Sequence, residues 1–209
     1  MEADWSAEIA PGLPEIAVPW SSYETDETLT WQDLRLAGPR LDAAIHSIPS
    51  AAAESALAAA LRTLHAPGSP WFTSKCDLWT TTPEDSDPPD PYEFNAADLV
   101  TDTATNSAPL HLCASYLDIL PVNTHLFQCF PAQENLLKTL TATLRARTQP
   151  HARIDFVLRA ARIHNTPGFA FTAYAAGCGL TATDAHQAWK QALALLITAL
   201  HTSPAASLY

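Results

Sequence analysis

Apolar residues recur at helical spacing in three stretches of the chain and alternate at strand spacing in four others. Over 51–65, Leu57, Leu61 and Leu64 make a narrow apolar stripe in an alanine-rich segment, which predicts a helix. Ser50 reads as its N-cap, Glu54 sits near the positive end of the dipole, and Pro67-Gly68 ends it. A second helix is predicted from Pro131 to about Arg147, with proline suited to the first position and Leu136, Leu137, Leu140 and Leu144 on one side. The third covers 182–201. Thr181 and Asp184 give it a capping-box-like start, and Ala185, Trp189, Ala192, Leu193, Leu196 and Leu200 make a broad apolar face.

Strands are predicted over 71–80, 110–120, 153–163 and 169–178. In the first, Phe72, Ser74, Cys76 and Leu78 oppose Trp71, Thr73, Lys75, Asp77 and Trp79, so neither face is cleanly apolar. The last two form a hairpin around Thr166-Pro167-Gly168, which reads as a type II turn. Ile154, Phe156, Leu158 and Ala160 share one face of its first strand, with Arg153, Asp155, Val157 and Arg159 on the other. An even-numbered loop aligns the apolar face with Phe169, Phe171, Ala173 and Ala175; an odd-numbered loop swaps the second strand. Both faces of 169–178 are apolar enough to predict a central strand.

The predicted order is α-β-β-α-β-β-α, an α+β domain with an antiparallel sheet and helices packed on one side. It occupies 49–202, followed by a tail at 203–209. Residues 1–48 read as an arm of extended backbone, rich in proline (Pro11, Pro14, Pro19) and tryptophan (Trp5, Trp20, Trp31), with a short helix at 31–36. The arm is expected either to pack over the domain or to dock on a partner. Residues 83–98, PEDSDPPDPYEFNAAD, read as an exposed acidic loop in which Tyr92 and Phe94 are the only bulky apolar groups.

Length and charge narrow the functions. A chain of 209 residues suits one well-buried domain. The formal net charge of −11 repels a phosphate backbone, making nucleic acid an unfavoured partner and a basic protein an easier one. No apolar run reaches bilayer length and the N-terminus lacks signal-peptide character, so the expected compartment is the cytoplasm, without membrane association. Abundant alanine and proline with scarce lysine suggests a GC-rich, bacterial host. Cys76, Cys113, Cys129 and Cys178 read as reduced, mostly buried thiols.

Four constellations have chemical potential. His111 and Cys113, with His125 and Cys129, have donor types that suit tetrahedral zinc, although structural cysteines and ordinary histidines account for them more simply. Cys178 opens a helix, where a dipole can lower a thiol pKa; the plainer reading is a small thiol in a tight turn. The segment 177–184 joins a strand to a helix as some phosphate sites do, but lacks a P-loop pattern. The last is the polar sheet face: Arg153, Asp155, Arg159 and Tyr174, with Thr172 and, from the neighbouring strand, Tyr116 and Asp118. It is either a solvated, salt-bridged surface or a recognition site, since arginine and tyrosine are frequent binding hot spots.

The element order is similar to that of the small acidic type III secretion chaperones, a resemblance that implies a binding module acting as a dimer. The tryptophan-rich arm and the acidic loop depart from that pattern. Taken together, the sequence favours a non-enzymatic interaction protein: an adaptor, a chaperone-like binder or an inhibitor of another protein, with homodimerisation left open. No cofactor and no metal are assigned. The alternative is a small enzyme with a site assembled from dispersed histidine, cysteine and carboxylate groups.

Overall fold

The hairpin organises the sheet. A computed structural model of the chain describes residues 1–20, 31–82, 91–94, 96, 99 and 110–203. Its strands are β1 (Glu2–Glu8), β2 (Ile16–Val18), β3 (Trp71–Thr81), β4 (His111–Pro121), β5 (Ala152–Ile163) and β6 (Thr166–Gly179). Its helices are α1 (Leu41–His46), α2 (Pro49–Ala53), α3 (Ser55–Leu64), α4 (Thr124–Gln128), α5 (Phe130–Arg145) and α6 (Ala182–Thr202). The sheet order is β1-β5-β6-β4-β3, with β2 also pairing β5. The class is α+β as expected, and β6 lies at the centre.

Ile154 faces Ala175, Phe156 faces Ala173 and Leu158 faces Phe171, which is the even-loop register. The turn itself differs from expectation. Ile163 pairs with Thr166, so the loop is His164-Asn165, with His164 at φ 52°. Pro167 and Gly168 lie inside β6, opposite Arg162 and Ala161. Pairing of β6 with β4 ends at Phe171, so proline's missing N–H falls where, among the described residues, β6 pairs with β5 alone. Gly168 is required by close packing: a Cβ there would sit 2.6 Å from the Phe127 carbonyl oxygen.

The proline-rich N-terminus is extended, but it pairs. β1 and β2 both run parallel to β5, making the sheet mixed at that edge while β3, β4, β5 and β6 are antiparallel. Gly12, at φ 87°, lies in the loop that separates the two strands. Arg145 Nε donates to the Ala3 carbonyl (2.6 Å) and the N-terminal amine donates to the Arg147 carbonyl (2.9 Å), tying the edge strand to the end of α5. Of the predicted helix at 31–36, one 3-10 turn forms at Leu34–Leu36. Most of the acidic stretch 83–98 and all of 204–209 lie outside the described residues.

The core lies between one sheet face and the helices. Ile154, Phe156, Leu158, Phe171, Ala173 and Ala175 meet the apolar stripes of α3, α5 and α6. Complete burial of each large side chain contributes on the order of 2 kcal/mol. The two buried indoles keep their N–H groups satisfied: Trp189 donates to Ser115 Oγ (2.9 Å) and Trp71 donates to the Leu200 carbonyl (3.1 Å).

The first predicted helix is two. Glu54, at φ −130° and ψ 111°, breaks it and accepts from the Ala56 amide (3.1 Å) as the N-cap of α3. Ser50 instead donates to Asp77 Oδ1 (2.6 Å). The break leaves the Glu54 carboxylate 2.6 Å from His186 Nε2 and 3.8 Å from Lys190 Nζ, both on α6. Thr181 caps α6 as expected, accepting from the Asp184 amide (3.2 Å).

Two outcomes follow from this packing. A Cβ on Gly177 would strike the Trp189 amide nitrogen and sit 2.7 Å from the Ala185 carbonyl, both backbone atoms of α6. Gly177→Ala is therefore expected to cost about 3 kcal/mol or more in a urea melt, or to prevent folding. His65 follows α3 and accepts from the Thr73 amide (3.3 Å), while its Nδ1 is buried with no hydrogen-bond partner among the described residues. Burial pushes its imidazole down to about 4. The unfolded chain takes up this proton near its ordinary value of 6.5 and the folded chain does not. Stability therefore falls as pH drops through that window, by about 2 kcal/mol between pH 7 and about 4.5. Urea melts of His65→Gln should show a smaller acid loss than the parent over the same range.

Candidate functional site: the open face of the sheet

With α3, α5 and α6 on one side, the described residues leave the middle of the second, polar face of the sheet uncovered by helix. Register places Asp77, Tyr116, Tyr174, Asp155 and Asp4 in one line across five strands. Beside it runs Lys75, Asp118, Thr172, Val157 and Ser6. Apolar packing walls the face at both ends. Phe94 and Ala96 cover Cys178, Leu112 and Ala176 at one end; Ile16, Val18 and Phe127 of α4 cover Leu120 and Ala170 at the other.

Polar contacts knit this face together. Thr172 Oγ1 donates to Asp118 Oδ1 (2.6 Å), and Arg153 Nε donates to Asp155 Oδ2 (2.6 Å). Arg159 Nη2 lies 3.1 Å from Glu8 Oε2, and Arg162 Nη2 lies 3.2 Å from Glu15 Oε2. The rings of Tyr116 and Tyr174 are 6.2 Å apart, and Trp79 extends the aromatic row at 6.4 Å from Tyr116. Burial pushes the Asp118 carboxyl above the usual range, against the opposing pull of the Thr172 hydrogen bond, Lys75 and Arg159. Burial, then the charges of Asp118 and Asp77, push the Tyr116 phenol upwards, so both groups hold their protons more tightly than in water.

A cleft of about 350 Å³ opens on this face. It is lined on one side by residues from Pro14 to Trp20 and on the other by Tyr116, Asp118, Arg159, Thr172 and Tyr174. A second cavity of about 340 Å³ lies towards α2 and shares Trp20, Lys75 and Tyr116 with it.

The four residues singled out from sequence fall into two groups. Arg159 and Tyr174 line the cleft; Arg153 and Asp155 pair with each other beside Glu93, whose carbonyl lies 3.5 Å from Arg153 Nη1. Tyr174 and Asp155 are cross-strand neighbours and join the groups. Sequence reasoning missed Lys75, Asp77 and Trp79 as members of this face. The reason is a bulge between Thr73 and Lys75. It reverses the alternation of β3, so Trp71 packs in the core before it and Cys76 and Leu78 after it. The mixed faces of the 71–80 pattern were the available signal. Trp20, Glu15 and Arg162 come to the cleft only because β2 pairs with β5.

The other candidates come apart. His111 and Cys113 lie at one end of β4, while His125 is in α4 and Cys129 just after it, beyond the other end. A strand rise over that interval separates them by about 27 Å. No group of three or more His, Cys, Asp or Glu among the described residues could hold a metal ion. Burial pushes the Cys76 and Cys113 thiols up to about 12, which keeps them protonated. Cys178 is buried under Phe94 and Leu110. The glycines at 177 and 179 serve close packing, since a Cβ on Gly179 would lie 2.5 Å from Asp184 Cβ, and the Asp184 amide at the start of α6 is already taken by Thr181 Oγ1. Among the described residues no helix is long and apolar enough to cross a membrane.

Comparison with known proteins places the chain in no family: no family model, no curated protein and no solved structure matches it.

The burial of the thiols has a direct check. Brief treatment of the native protein with iodoacetamide near pH 8 should leave Cys113 and Cys178 unmodified by mass spectrometry, with both alkylated once urea is added. Rapid native alkylation of Cys178 would mark it as a reactive thiol.

Proposed function

We propose that this chain is a non-enzymatic protein-interaction module whose open sheet face receives a basic segment of a partner protein. The observation that carries the reading is the line Asp77, Tyr116, Tyr174, Asp155 and Asp4, in which two tyrosines lie between carboxylates on neighbouring strands. An aromatic face attracts a guanidinium or ammonium group through its quadrupole, by roughly 0.5–2 kcal/mol per contact. Carboxylates flanking the rings strengthen that attraction, and the tyrosine bodies supply apolar contact for the stem of an arginine or lysine. The net charge of −11 draws a basic segment in from a distance.

Arg153 and Arg159 have a supporting part in this reading. Each holds a carboxylate in place, Arg153 holding Asp155 within the row and Arg159 holding Glu8 on the edge strand. The rigid sheet fixes the spacing of the row before a partner arrives, which limits the entropy lost on binding.

Selection from a random peptide display library against the immobilised full chain tests the proposal. Enriched peptides should be rich in arginine and lysine. Their affinity should fall by about tenfold or more when the salt concentration is raised from about 0.05 to 0.5 M. Tyr174→Ala should weaken the same peptides by about tenfold while leaving the urea midpoint near that of the parent. Enrichment of neutral or acidic peptides, or binders indifferent to Tyr174→Ala, would contradict it.

A further inference from the structure

The cleft beside the tyrosine row has the opposite electrostatic character. Lys75, Arg159 and Arg162 line it together with Trp20, Tyr116 and Tyr174. Arg162 is engaged by Glu15. Arg159 uses Nη2 on Glu8, but its Nε is shielded from solvent and meets no acceptor among the described residues. A buried guanidinium N–H without an acceptor is costly, and the planar fork offers such a donor edge to a carboxylate. Lys75 Nζ lies over the Trp20 ring, 5.2 Å from its centroid, and its nearest anionic neighbour across the strands is the buried Asp118.

We propose that this cleft binds a small aromatic carboxylate, its anion held by Lys75 and Arg159 and its ring against Trp20, Tyr116 and Tyr174. The volume of about 350 Å³ lies at the lower end of small-molecule sites, which suits a compound of one or two rings. The carboxyl at the floor, Asp118, is drawn to both cations but is held back from them on two counts. Asp118 is occupied by Thr172, and its burial favours the neutral form. The overall negative charge of the chain opposes an anion at long range, but salt screens that field within about 8 Å, where the two cations dominate. One guanidinium edge and one ammonium match a planar, singly charged carboxylate. A phosphate dianion asks for more donors than these two groups give. The site shares Tyr116, Tyr174 and Arg159 with the basic-segment reading, but it alone needs Lys75 and Trp20, so loss of indole-3-acetate binding on Lys75→Gln tells the two apart.

An NMR titration of the full chain with indole-3-acetate, its neutral alcohol analogue tryptophol, and inorganic phosphate tests the proposal. Indole-3-acetate should give saturable shifts at Tyr116, Tyr174 and the Trp20 indole N–H. Tryptophol should bind about tenfold or more weakly, and phosphate should give no saturable shift at these groups. Lys75→Gln and Arg159→Gln should each weaken indole-3-acetate about tenfold, with Arg40→Gln as an unaffected control. Arg159 also holds Glu8, so if its variant fails to fold, Lys75→Gln, at an exposed strand position, decides alone. No saturable shift with indole-3-acetate, equal affinity for tryptophol, a phosphate response of the same strength, or indifference to Lys75→Gln would each overturn the proposal.

Discussion

The close approach of α6 to the central strand is the constraint on which the rest of the molecule depends. Gly177 has no room for a methyl group because the backbone of α6 lies directly against it. At that distance α6 reaches each neighbouring element. Trp189 bonds to Ser115 of β4, the Leu200 carbonyl accepts from Trp71 of β3, and His186 and Lys190 meet Glu54 at the start of α3. One helix thus fixes two strands and a second helix. The small side chains of β6, Ala173 and Ala175, continue the same fit.

That fit also decides where function can reside. With α3, α5 and α6 on one side, no helix among the described residues covers Tyr116, Tyr174 and Asp155 on the other. The ends of the open face are closed by apolar packing around Cys178 and around Leu120. Between them remain an aromatic row flanked by carboxylates and a cleft lined by cations. The two lie side by side on a sheet whose register fixes every spacing.

Much of this was legible in the sequence, and the exceptions have physical causes. Alternation in 153–163 and 169–178 identified the hairpin, its register options and the polar positions Arg153, Asp155, Arg159 and Tyr174. It misplaced the turn because Pro167-Gly168 is a strong turn signal wherever it occurs. Here the proline occupies a half-paired strand end and the glycine makes room for Phe127. Parallel pairing of β1 and β2 with β5 joins residues far apart in the chain, which no local pattern reports. The bulge in β3 hid Lys75, Asp77 and Trp79, since one extra residue exchanges the two faces. The split of α2 from α3 at Glu54 reflects a tertiary tie to α6 that outweighs alanine's helical preference.

The central claim is that the open face, with Tyr116 and Tyr174 at its middle, is the recognition surface. Mapping backbone amide shifts of the full chain during titration with a short arginine-rich peptide addresses it most directly. The account predicts saturable changes confined to the strand segments around Trp79, Tyr116, Asp155 and Tyr174, with the exposed sides of α5 and α6 unchanged. Changes centred on the helices, or none at all, would contradict it.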